Sequence, residues 1–239
     1  MSHFVTSKDI PTNGEHLDKG KLALPKMVTG GIAAIGLIGS IAFFLFGSGS
    51  AHGSYAFSWL FALFFVLTIT FGGCFFTLLH NLSNSGWGTS VRRLMENLGF
   101  VFPFMILFAI PLLFHDVQQY LWEWMTMFRE TVGDSKNASE ALMHSADPHN
   151  HLLAKKTFYL SPGFWHFRFF FYFIGLGGVI WLLRKLSIAQ DTEKDPGVEN
   201  LFKARSYSSW GMIIFGVSMT FLAIDWVMAL DFSWFSTMF

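Results

Sequence analysis

Three ionisable residues lie inside otherwise apolar stretches of the sequence. His166 and Arg168 fall within the run 162–183, and Asp225 falls within the run 210–230. A guanidinium costs at least about 3 kcal/mol at the centre of a bilayer and less near the headgroups, so each buried charge needs a partner or water. An imidazole, a guanidinium and a carboxylate at membrane depth are typical either of a proton-transfer site or of a structural ion pair.

The depths of these residues predict that they share one layer of the membrane. If the run 162–183 enters from the outer face, His166 lies ~6 Å and Arg168 ~9 Å below its edge, at 1.5 Å per residue. The run 210–230 then crosses in the opposite direction, which places Asp225 ~8 Å from the same face. We therefore expect His166, Arg168 and Asp225 to form a hydrogen-bonded cluster near the outer face.

Two more residues are candidates for proton transfer beside this cluster. Asp116 follows the third apolar run and is expected close above the cluster, whereas Ser218 precedes Asp225 by seven residues and shares its helix face about two turns deeper. In the proton-transfer interpretation, Arg168 keeps the carboxylate ionised until protonation is driven. In the structural interpretation, Arg168 and Asp225 only pair, and His166 caps a carbonyl.

The elements that must position these residues are membrane helices. The composition is 52% hydrophobic and 13% charged, against a soluble average of about 25% charged. We predict an all-α polytopic membrane protein with a polar amino-terminal segment at 1–26, a transmembrane domain at 27–239 and an outer loop at 115–161. The five predicted transmembrane helices are 27–46, 55–79, 98–114, 162–183 and 210–230.

Basic residues and breaker residues predict how these helices are arranged. Arg92 and Arg93 separate the second and third spans, and Arg184 follows the fourth, which predicts a cytoplasmic amino terminus by the positive-inside rule. Turn residues at 47–54 predict a tight hairpin. Two prolines in the third span each tend to kink a helix, and plain structural tolerance of them is favoured over a bend beside a cavity.

The remaining side chains exclude several kinds of site on this chain. Sixteen basic residues balance sixteen acidic ones, so no nucleic-acid partner is expected. The single cysteine, Cys74, excludes an internal disulfide, a CxxCH haem attachment and a cysteine-ligated iron–sulfur cluster. His80 and His166 are expected at opposite membrane faces and so cannot ligate one haem. The histidines of the outer loop indicate a solvated segment rather than a zinc site.

Four segments carry a resemblance to a known family. They are HNLSNSGWGTSVRRLMENLG at 80–99, KTFYLSPGFWHFRFFFYFIG at 156–175, RKLSIAQD at 184–191 and TFLAIDWVMALDFSWFSTMF at 220–239. Taken together, these segments resemble the second NrfD-like membrane subunit of bacterial alternative complex III, the ActF family. Members of that family have about ten spans, so the resemblance implies the front half of an NrfD-like bundle.

The resemblance implies a membrane subunit of a respiratory quinol:cytochrome c oxidoreductase in the bacterial inner membrane. Its implied partners are a sister NrfD-like quinol-binding subunit, an iron–sulfur subunit, c-type cytochrome subunits and a terminal oxidase. Quinol, iron–sulfur clusters and c-type haems are expected in those partners, and no cofactor is expected in this chain. The expected role of this chain is to support quinol oxidation and to transfer protons. Two alternatives remain: one half of an ion or proton transporter or channel, and a purely structural membrane anchor.

Overall fold

The computed structural model describes residues 20–47, 50–83, 88–133, 137–145, 148–192 and 198–233. Every regular element in these ranges is helical. The first nineteen residues of the predicted amino-terminal segment, residues 48 and 49 of the predicted hairpin and the six residues after 233 lie outside the described residues.

Five helical segments are long and apolar enough to cross a membrane, which confirms the predicted fold class and number of spans. Each is at least as long as the apolar run that predicted it, because a helix can continue into water beyond the hydrocarbon core. The segments are Ala23–Phe46, His52–Ser83, Val91–Leu113, Pro162–Gln190 and Glu199–Leu230. Large apolar side chains are exposed along all of them, as lipid-facing surfaces require.

The third span is broken near its two prolines, so the favoured expectation that they are simply tolerated is wrong. Helix α3 (Thr89–Gly99) is followed by a 3-10 turn at Phe102–Phe104, helix α4 (Met105–Ala109) and a second 3-10 turn at Ile110–Leu113. Pro103 and Pro111 lie in the two 3-10 turns. A proline removes a backbone donor and disfavours a continuous α-helix, so the chain tightens locally at each one.

The predicted outer loop is mostly helical in the part that the structure describes. It begins with two helices, α5 (His115–Leu121) and α6 (Glu123–Val132), with Trp122 between them. Two short helices follow, α7 (Ala138–Met143) and α8 (Pro148–Lys156).

The chain divides into two compact units, one ending at Ala51 and the other beginning at His52. The first unit contributes a single apolar helix, α1 (Ala23–Phe46). Helix α2 (Ser50–Ser83) begins at the boundary, inside the segment 47–54 that is predicted to be a turn. The remaining helices belong to the second unit.

The core of the second unit is built around α9 (Pro162–Thr192) and α10 (Glu199–Trp226), which pack along each other. One face of α10 is buried at alternating intervals of four and three residues, the spacing of a helix–helix seam. A Cβ on Gly211 would lie 2.7 Å from side-chain atoms of both Leu78 and Val179, so this seam needs glycine at its crowded centre. Its buried residues are Ala204, Ser208, Gly211, Phe215, Ser218, Leu222 and Asp225.

Candidate functional site

Arg168 and Asp225 form a buried two-point ion pair between α9 and α10. Arg168 Nε donates to Asp225 Oδ2 at 2.7 Å, and Nη2 donates to Oδ1 at 2.8 Å. Only 6% of Arg168 and 1% of Asp225 is exposed. Parallel charge-assisted bonds of this kind fix the relative orientation of both groups. The predicted meeting of these two residues is confirmed.

Neighbouring groups make further hydrogen bonds to the guanidinium and to the carboxylate of this pair. Arg168 Nη1 donates to the Tyr159 carbonyl oxygen at 2.9 Å, and the guanidinium carbon lies 3.9 Å from the Tyr159 ring centre and 4.5 Å from that of Phe164. Tyr172 Oη donates to Asp225 Oδ2 at 2.5 Å. The carboxylate thus accepts three hydrogen bonds. Burial raises the pKa of the Tyr159 phenol, so this group outside the span stays protonated at neutral pH.

Ser218 lies deeper on the same seam of α10, as predicted. Seven residues separate it from Asp225, which is about 10 Å along a helix axis. The Ser218 side chain is fully buried, and its hydroxyl has no hydrogen-bond partner among the described residues. Ser208 lies about 15 Å farther along the axis. Its side chain is also fully buried, and its hydroxyl has no hydrogen-bond partner among the described residues. Buried hydroxyls of this kind are commonly satisfied by internal water.

His166 does not join the pair. Two residues along a helix are rotated by about 200°, so His166 and Arg168 face nearly opposite directions. His166 Nδ1 donates to the Pro162 carbonyl oxygen at 2.6 Å, which leaves Nε2 as the acceptor facing Gln118 Nε2 at 3.4 Å. The prediction of a three-residue cluster is therefore wrong for His166, whereas the carbonyl cap of the structural interpretation is present.

The side chain of Gln118 is the centre of a second hydrogen-bond network. It is fully buried, donates to the Leu112 carbonyl oxygen at 3.0 Å and accepts from Arg129 Nη2 at 2.6 Å. Arg129 also bonds to His115 Nδ1. Burial lowers the pKa of Arg129. This network links the half-buried His166 to the exposed His115 and ties the broken third span to α5, α6 and α9.

Asp116 lies apart from both networks. It is exposed in the first turn of α5, and its carboxylate makes no hydrogen bond or ion pair with the described residues. The polarity of the segment that begins at His115 was sufficient to predict that Asp116 lies at this end of the third span. It did not predict the direction of the side chain, which depends on how α5 turns after the second 3-10 segment.

A second buried ionic group, which the sequence analysis missed, joins α3 to the end of α9. The Glu96 carboxylate accepts hydrogen bonds from three arginines and one serine, at distances of 2.7 to 3.3 Å. Only 4% of the Glu96 side chain is exposed. The donors are Arg92, Arg93, Arg184 and Ser187.

The two ionic groups lie near opposite ends of α9. Nineteen residues separate Arg168 from Ser187, which corresponds to about 28 Å of helix, close to the thickness of a hydrocarbon core. Sequence reasoning used the arginines only as topology markers. The signal for Glu96 was a lone acid placed three and four residues after two arginines, the spacing of helical ion pairs.

Metal ligation finds no support in the part of the chain that the structure describes, where no group of three or more His, Cys, Asp or Glu side chains is placed to hold an ion. The loop histidines have other neighbours. His151 Nε2 lies 3.2 Å from the Ser145 carbonyl oxygen, and the His149 ring lies beside the Phe232 ring.

The chain matches no protein-family model and no curated protein sequence. Its function therefore has to be argued from its own residues. The arrangement offers two chemical capabilities. The Arg168–Asp225 pair can hold α9 against α10, and the Asp225 carboxylate with the Tyr172 hydroxyl can exchange a proton if the ion pair opens.

Proposed function

We propose that this chain is a multi-pass subunit of a respiratory quinol:cytochrome c oxidoreductase of the alternative complex III type, in a bacterial inner membrane. In this proposal its partners are a sister NrfD-like quinol-binding subunit, an iron–sulfur subunit, c-type cytochrome subunits and a terminal oxidase. Those partners hold the quinol, the clusters and the haems. This chain supports quinol oxidation by supplying protonatable side chains and a scaffold. The four quoted sequence segments support the placement in this complex.

The observation that carries the proton-transfer role is the buried Asp225 carboxylate and its place on the α10 seam. Tyr172 contacts it with a hydroxyl, and Ser218 and Ser208 place two further buried hydroxyls along the same helix. The steps of about 10 and 15 Å exceed a hydrogen bond, so water has to complete the path. A proton would reach Asp225 when its pair with Arg168 loosens.

A structural role is the second candidate, and the two-point geometry favours it. Both oxygens of Asp225 are bound by one guanidinium, and such a pair holds two helices in one register. A structural role requires the pair for assembly only, whereas proton transfer requires the carboxylate itself during turnover.

Two variants separate these roles in the assembled complex. Asp225→Asn removes the protonatable group, whereas Arg168→Gln breaks the same pair and keeps the carboxylate. Both should weaken α9–α10 packing to a similar degree, so Arg168→Gln is the matched control. The measurements are quinol:cytochrome c turnover per haem c, and proton release by the complex reconstituted into vesicles.

Proton transfer predicts that assembled Asp225→Asn loses most of its turnover while assembled Arg168→Gln retains more of it. Equal turnover per haem c in Asp225→Asn and the wild type would leave only the structural role. Loss of proton release with turnover retained would assign Asp225 to a proton path that is separate from quinol oxidation.

A further inference from the structure

A small cleft opens at the arginine-rich end of the spans, between the end of α2, the start of α3 and the first turns of α10. Its volume is about 170 Å³, room for roughly six water molecules at ~30 Å³ each. One wall is polar and the other apolar. The polar wall is formed by His80, Asn81, Arg92 and Arg205, and the apolar wall includes Leu201 and Phe202.

The two arginines have hydrogen-bond donors to spare. Arg92 uses Nε to bind Glu96 at 2.7 Å, and its terminal amino groups make no hydrogen bond with the described residues. The Arg205 guanidinium makes none either. Asn81 adds a side-chain amide at the same wall. Guanidinium groups are planar donors that match the oxygens of a phosphate.

The two sequence segments that form this end of the spans carry a net positive charge, although the whole sequence is neutral. Segments 80–99 and 184–205 together contain 7 Lys and Arg residues and 5 Asp and Glu residues. If every acid in these segments paired with one base, 7 − 5 = 2 basic residues would remain. Glu96 already takes bonds from three arginines. An anion is therefore the complementary ligand.

We propose that this cleft binds the phosphate group of an anionic phospholipid in the leaflet at the arginine-rich end of the spans. The site lies at a helix end, where lipid headgroups are found, and basic residues attract anionic lipids at that level. The apolar wall favours a lipid over free phosphate, because Phe202 is 66% exposed and offers a surface for the glycerol and upper acyl chain. This inference does not depend on the proposed function.

The test uses the full chain in nanodiscs of phosphatidylcholine, with or without phosphatidylglycerol, and native mass spectrometry to count retained lipids. One phosphatidylglycerol should remain bound to the wild type. Arg205→Gln should weaken its retention about fivefold, since a basic residue near a lipid surface contributes ~1 kcal/mol and 1.4 kcal/mol is tenfold. Arg205 contacts none of the described ionic groups, so this variant should fold.

Lys203→Gln is the matched control, because it removes the same charge two residues away, from an exposed pair with Glu199. Equal loss of lipid in both variants, or equal retention of phosphatidylcholine by the wild type, would overturn the proposal. Inorganic phosphate is added to phosphatidylcholine discs as a separate arm. If it raises thermal stability of the wild type but not of Arg205→Gln, while phosphatidylglycerol has no effect, the lipid assignment is wrong.

Discussion

Breaking the Arg168–Asp225 pair on both sides should cost much less stability than the sum of the costs of breaking it on either side alone. The perturbations are Arg168→Met, Asp225→Asn and the two combined. Asparagine keeps an oxygen for the Tyr172 hydroxyl, so Asp225→Asn removes the charge and leaves that contact possible.

The magnitude follows from the burial of the pair. Each member is less than a tenth exposed, and removing one partner of a buried pair costs roughly 3–5 kcal/mol because the other charge is left uncompensated. For a chain of this size that corresponds to a fall in Tm of about 6–20 °C. The double variant contains no unpaired charge, so we expect its cost to be several kcal/mol less than the sum of the single costs.

The assay is unfolding of the purified protein in one detergent, followed by tryptophan fluorescence, since Trp165 and Trp226 are fully buried in the same region. Tyr172→Phe serves as a graded control, with an expected cost of roughly 1.5–3 kcal/mol for one hydrogen bond to a charged group. Additivity of the two single variants to within about 0.5 kcal/mol would refute the reasoning, because independent sites add and an ion pair does not.

Two matched pairs test the packing around the site. Gln118→Leu should lower the free energy of unfolding by roughly 1–3 kcal/mol, because it leaves buried hydrogen-bond partners unsatisfied. Gln119→Leu, at an exposed neighbour, should change it by less than about 0.5 kcal/mol. Equal shifts in melting temperature would contradict the Gln118 hydrogen-bond network. Gly73→Ala should separate α2 from α3, since its Cβ would lie 2.5 Å from the Gly99 nitrogen, but Gly72→Ala meets nothing within 4 Å. Similar melting temperatures for both alanine variants would contradict this close approach.

The sequence predicted the number of spans because hydropathy responds to length and composition, which the membrane constrains directly. It also predicted that Arg168 and Asp225 meet. That inference needed only their depth, which follows from the rise per residue and the alternation of spans.

The rest of the site depends on rotation about helix axes, which depth does not determine. His166 shares the depth of Arg168 but faces the other way, toward Gln118. Applying the 100° step per residue to α9 would have separated them. Gln118 and Glu96 gave no hydropathy signal, because Gln118 lies in a polar helix after a span and Glu96 lies in the polar beginning of the third span. Each is buried only by tertiary packing.

The most direct test of the proposed function is to isolate this chain from gently solubilised native membranes. On the same sample, a dithionite-reduced minus oxidised spectrum and quinol:cytochrome c activity are recorded. The account predicts c-type haem bands that copurify with the chain, together with activity. An intact assembly that contains the chain but has neither haem bands nor activity would contradict the account and favour a transporter.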